Sequence, residues 1–169
     1  MPKDPLPPLT IRYNGIFDFD RLYAMVVDWA KMYNYFWLEK KHVHKVRNGS
    51  VEQELSWQAT REATEYIRLI VNIDIKMWDL KEVELEVAGR KRLLSNARIE
   101  IKISGKVEYD WQGFAEKNPK IIMRWLGKIY PLKTEIPDEY FIQLYSKLVN
   151  LHSLMKQYFD MQSKRNPFS

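Results

Sequence analysis

His42 and His44 in "KKHVHKV" stand two residues apart, the spacing that puts both rings on one face of a strand and would let two imidazoles share a metal ion. Lys40, Lys41, Lys45 and Arg47 surround them, and that much positive charge disfavours a cation, so no metal is expected there. Asp74, set between Ile73 and Ile75, shares a strand face with Arg68, Asn72 and Lys76. That grouping has the makings of a polar centre, although an ordinary solvated face has the same pattern. Glu82, Glu84 and Glu86 alternate with Val83, Leu85 and Val87 and form a surface stripe, because nothing nearby would shift a carboxyl into acid–base range. His152 falls among apolar helix positions, as a packed histidine does.

The chain has no cysteine, which excludes disulfides, thiolate catalysis and thiolate-ligated metal centres. It has no Gly-x-Ser-x-Gly elbow and no glycine-rich loop with phosphate spacing. Asn48-Gly49-Ser50 fits a glycosylation acceptor, but no basic-then-apolar leader precedes it. The expectation is a non-enzymatic protein without cofactor or metal.

Two basic segments are candidates for contact with nucleic acid or a ribosome: Lys40, Lys41, Lys45 and Arg47, and Arg90, Lys91 and Arg92. The net charge of +5 permits an acidic partner without requiring one, since carboxylates are interspersed throughout. Six Trp, ten Tyr and seven Phe are more aromatic side chains than a small core needs. Trp57, Trp78, Trp111 and Tyr145 are candidates to line a ligand cavity. Pro5, Pro7, Pro8, Phe141, Tyr145 and Phe159 are candidates for an oligomer interface.

Alternation and helical spacing predict the elements that would position these groups. A short strand over Leu9 to Tyr13 and a turn at Asn14-Gly15 precede a helix capped by Asp18. Phe19, Leu22, Val26, Trp29 and Tyr33 form that helix's apolar stripe, widened by Met25 and Met32. Asn48-Gly49 predicts a tight hairpin between Val43 and Val46 on one side and Val51, Leu55 and Trp57 on the other, although residues 51–65 have a helical composition too. Ile67, Leu69, Val71, Ile73, Ile75 and Met77 share one strand face. "KEVELEV" is a further strand, "GRKRLLSN" a basic loop, and "ARIEIKISGKVEYDW" another strand, whose Arg98 and Lys102 would pair with the three glutamates. Asn118-Pro119 opens a helix with Ile121, Ile122, Trp125, Leu126 and Ile129 on one face. Pro137 opens a last helix running to about Gln162, its stripe Phe141, Leu144, Leu148, Leu151 and Met155 broadened by Tyr145, His152, Tyr158 and Phe159.

These elements make an α+β fold: a mostly antiparallel sheet of about five or six strands, one face covered by helices, with a long C-terminal helix. Their order resembles the helix-grip (START-like) arrangement, in which a curved sheet wraps a terminal helix and often leaves a hydrophobic cavity. It departs from that arrangement in having one helix after the first strand and an added helix at 118–130. A chain of 169 residues suits one domain, here 9–162, with a proline-rich arm at 1–8 and a loose tail at 163–169.

No apolar run is long enough to insert in a membrane, and without a leader the expected location is the cytoplasm, or a virion or other assembly. The function expected is that of a homo-oligomeric structural or assembly subunit, its partner a second copy or another protein. A small hydrophobic-ligand binder and a nucleic-acid- or ribosome-associated protein are the alternatives.

Overall fold

The computed structural model describes residues 3–87, 89–109, 111–112 and 132–165; the expected helix at 118–130 lies outside them. The described elements are β1 (Lys3–Pro5), β2 (Leu9–Phe17), α1 (Phe19–Met32), β3 (Phe36–Arg47), β4 (Ser50–Glu62), β5 (Ile67–Val87), β6 (Arg90–Tyr109) and α2 (Leu132–Arg165). All strand pairs are antiparallel, in the order β1-β6-β5-β4-β3, and β2 continues β1 along the same side of β6. The fold is α+β with one helix-covered sheet.

Alternation accounts for the layers. Ile67, Leu69, Val71, Ile73, Ile75 and Met77 of β5 are buried, as are Ile99, Ile101, Ile103 and Val107 of β6. Their even-numbered neighbours Asp74, Lys76, Arg98 and Lys102 are exposed. Over the inner face α2 lays Leu144, Leu148, Leu151 and Met155, all fully buried, against β2 and β6, while α1 covers the β3–β4 side with Leu22, Val26 and Trp29. Asp18 caps α1 by accepting the Arg21 amide, as its position implied. At the far end Asn34, at φ 62°, lets the chain turn off the helix into β3. Of the expected α1 stripe Met32 is the exception, exposed at the helix's end.

The Asn48-Gly49 hairpin forms between β3 and β4, with both residues at positive φ (51° and 76°), the geometry a two-residue turn needs to follow the strand twist. Residues 51–62 are strand, not helix, because Leu55, Trp57 and Ala59 alternate into the core.

Five expectations are corrected. Asn14-Gly15 is not a turn: β2 pairs with β6 without a break to Phe17↔Ser95, Gly15 taking φ 150° within the strand. The proline-rich arm is not free of the sheet, since Lys3–Pro5 pairs with β6 and the Leu6 amide donates to the Gly105 carbonyl at 2.7 Å. The two central strands and the basic loop are one long hairpin, β5 and β6, turning at Gly89 (φ 76°). Arg98 and Lys102 do not meet the glutamates: they lie opposite Trp78 and Asp74, while Glu82, Glu84 and Glu86 face Ser95, Leu93 and Lys91. Finally, α2 begins at Leu132 and runs through Pro137 to Arg165, so its start is not set by that proline.

At Gly105 the side chains of α2 come down directly on the sheet backbone. A Cβ there would stand 2.9 Å from Leu148 Cδ1 and 3.2 Å from Leu144 Cδ2, inside ordinary contact. Gly105→Val is therefore expected to cost about 1–3 kcal/mol in urea unfolding. Leu148→Ala alone is expected to cost about 2–5 kcal/mol. The double variant should fall short of the sum, because the cavity relieves the overlap. Strict additivity would show that the helix does not rest on Gly105.

Candidate interaction surfaces

Beyond Trp78 the β5–β6 hairpin leaves the sheet. The register slips by one residue between Trp78 and Lys81, with Asp79 at φ 56°. A bulge of this kind reverses which side chains face which way. Up to Met77 the apolar residues of β5 face the helices. After the bulge Val83 and Leu85 lie opposite Leu94 and Arg92 on the other face, and the glutamates take the helix-side face. Pairing of β4 with β5 stops at Gln53↔Met77, and pairing of β2 with β6 at Phe17↔Ser95. Residues 81–87 and 90–94 thus form a two-stranded arm reaching roughly 20 Å past the bulge. Val83, Leu85 and Leu94 are half-buried, Arg90 and Arg92 are exposed, and Leu93 is 62% exposed on the glutamate face.

The second surface is the outward side of α2. Ile142, Tyr145 and Val149 recur at helical spacing and are 70%, 43% and 39% exposed, with the small Ser146 and Ser153 beside them. Asp138 and Glu139 lie exposed at the N-terminal end of this row, and Lys156 on its C-terminal side. A sequence pattern shows that this helix is rich in apolar residues. It does not separate the row that meets the sheet from the row that does not.

Shallow concavities lie elsewhere among the described residues. One, about 430 Å³, runs between the helices beside Met25, Trp29, Met32 and Leu154. The other, about 700 Å³, lies on the outer sheet face, where Phe36 and Leu38 are exposed among Lys40, Arg61 and Arg68.

The sequence candidates scatter over the molecule. Trp57 is buried in a ring cluster, 5.3 Å from both Tyr23 and Trp37. Trp78 is on the outer face under the Arg98 guanidinium, 5.1 Å away. Trp111 sits beyond the end of β6, donating Nε1–H to the Thr64 carbonyl at 3.1 Å beneath Arg68, and Tyr145 faces outward from α2. These four aromatics do not line one cavity. Phe159 stacks on Tyr13 at 4.8 Å inside the protein's own core, Phe141 packs at the core's margin, and Pro7 and Pro8 are exposed between β1 and β2.

The basic candidates form two separate groups. Lys41, Lys45 and Arg47 point outward from the edge strand β3, where Lys41 donates to Glu54 at 3.0 Å and holds that carboxyl below its usual range. Lys40 occupies the bulge between Glu39 and Lys41, an arrangement that guards an edge against pairing with another sheet. Arg90, Lys91 and Arg92 are at the tip of the arm. Ser50, at the tip of the β3–β4 hairpin, bonds to Asp79 at the arm's base, so the arm's length separates the two basic groups.

The polar side chains weighed for chemistry in the sequence have ordinary hydrogen-bond partners. His44 meets the Gln53 amide at 3.0 Å, Ser56 donates to the exposed Asp74, and half-buried His152 lies 3.4 Å from the Thr10 carbonyl. Among the described residues no three His, Asp or Glu side chains converge as metal ligands, and no helix is long and apolar enough to cross a membrane. Arg68 Nε donates to the buried Glu108 at 2.9 Å, a charge pair on the outer sheet face. Compared with known proteins, the chain matches no family model, and no curated protein matches it in sequence.

The large pKa shifts belong to packed tyrosines. Burial against Trp29, 5.5 Å between ring centres, pushes the Tyr35 hydroxyl up to about 12. Burial, then the Asp18 charge, raises Tyr158, whose hydroxyl donates to the Asp18 carbonyl. Because the unfolded tyrosine ionises near pH 10 and the folded Tyr35 near 12, its contribution to stability is complete below pH 10 and is lost as pH rises towards 12. Thermal unfolding followed from pH 9 to 12 should show the midpoint falling through that window. The fall should be shallower in Tyr35→Phe, and an equal fall in the variant would exclude Tyr35 as a source.

Proposed function

We propose that the protein is a non-enzymatic subunit of a homo-oligomeric assembly, acting in the cytoplasm or within a larger particle. The supporting observation is the outward row Ile142, Tyr145 and Val149, on a helix whose inward row is already fully used. An apolar row at helical spacing, flanked by small and charged residues, suits association with another protein surface. The hydrophobic-ligand reading loses support from the dispersal of Trp57, Trp78, Trp111 and Tyr145, and the nucleic-acid reading from the separation of the two basic groups.

Native mass spectrometry and light scattering over a concentration series should show a multimer. Ile142→Glu with Val149→Glu should shift it to monomer while circular dichroism and the melting midpoint stay near wild type, since both side chains lie outside the core. A wild-type protein that remains monomeric at every concentration, bare or carrying a small molecule, would rule out the assembly reading.

A further inference from the structure

The arm and the outward row of α2 are chemically matched. Beyond the Asp79 bulge, the arm's outer face carries Val83, Leu85 and Leu94 with Arg90 and Arg92 at its tip. The α2 row carries Ile142, Tyr145 and Val149 with Asp138 and Glu139 at its end. Each is an apolar strip ending in charges, and the charges are opposite. Neither strip is paired by the remaining described elements of its own chain: β4 and β2 stop short of the arm, and the α2 row lies on the side of the helix away from the sheet.

Resting on the assembly reading above, we propose that the arm of one copy seats on the outward face of α2 of the next, with Arg90 and Arg92 against Asp138 and Glu139. The contact joins two different patches, so it is head-to-tail and builds a ring or a filament, not an isolated two-fold pair. Pairing α2 with α2 about a two-fold axis would leave the arm's apolar face open to water. Pairing arm faces would set Arg90 and Arg92 of both copies on opposed surfaces. The arm-on-helix contact covers both strips at once and places unlike charges together.

Arg90→Glu with Arg92→Glu, and separately Asp138→Lys with Glu139→Lys, should each weaken self-association about tenfold or more. All four residues are exposed, so melting midpoints should stay near wild type. Mixing the two double variants should restore a multimer in which they alternate, because the acidic arm of one then meets the basic helix of the other. The quadruple variant should reassemble alone. Wild-type multimers that survive the arm reversal unchanged would overturn the arm–helix contact while leaving the assembly reading standing. So would loss of binding to a nucleic-acid oligonucleotide as the only effect of that reversal. A monomeric wild type would overturn both.

Discussion

The seating of Leu144 and Leu148 over Gly105 sets the distance between sheet and helix, and the remaining packing is built at that separation. With no side chain at 105, α2 comes down on β6, and Ile101, Ile103, Leu151 and Met155 close around the contact. At the far end of the helix Phe159 reaches Tyr13 and Phe17, so β2 is held both by its ladder to β6 and by ring contacts to α2. The other end of the sheet has its own closure, where Phe19 and Tyr23 of α1 interlock with Trp37 and Trp57 of the sheet. Two aromatic clusters bracket an aliphatic centre. This distribution employs most of the described aromatics inside one chain, and among the described residues it leaves Tyr145 and Phe36 exposed.

What could be seen in the residues followed from period. An alternation over 67–77, broken at Ile70, and a strict one over 99–107 placed the core side chains on the correct face, and Asp18 and Asn48-Gly49 marked a helix start and a hairpin through backbone chemistry that those residues favour. What could not be seen depended on partners far along the chain. Asn14-Gly15 has turn composition, but the β6 ladder holds it straight. The proline-punctuated Lys3–Pro5 gains a place at the sheet's margin because the facing strand is long enough to extend past β2. "GRKRLLSN" is polar enough for a loop, yet pairing with the glutamate strand carries it into β6.

The candidate surfaces were legible to a lesser degree. The breadth of the α2 stripe was apparent, and Tyr145 was singled out, but Ile142 and Val149 were not, since helical spacing alone cannot say which of two adjacent apolar rows a sheet will cover. The arm was hidden behind a single residue. Val83, Leu85 and Val87 continue the alternation of β5 in the sequence, and only the Asp79 bulge, with its positive φ, turns the later apolar residues away from the helices. Asp is among the residues that tolerate that conformation, and "WDLK" is the one local sign of it.

Pairing of β2 with β6 joins Leu9 to Ile103 and Phe17 to Ser95. During synthesis the hairpins β3–β4 and β5–β6 can each zip as soon as their second strand emerges. Phe17 and Ile11, by contrast, have no ladder until Ser95 and Ile101 have emerged, and no cover from α2 until that helix follows. The first long strand of the sheet thus waits for β6 before it is hydrogen-bonded. A nascent chain must carry it, and the apolar face of α1 beside it, until β6 and then α2 have emerged.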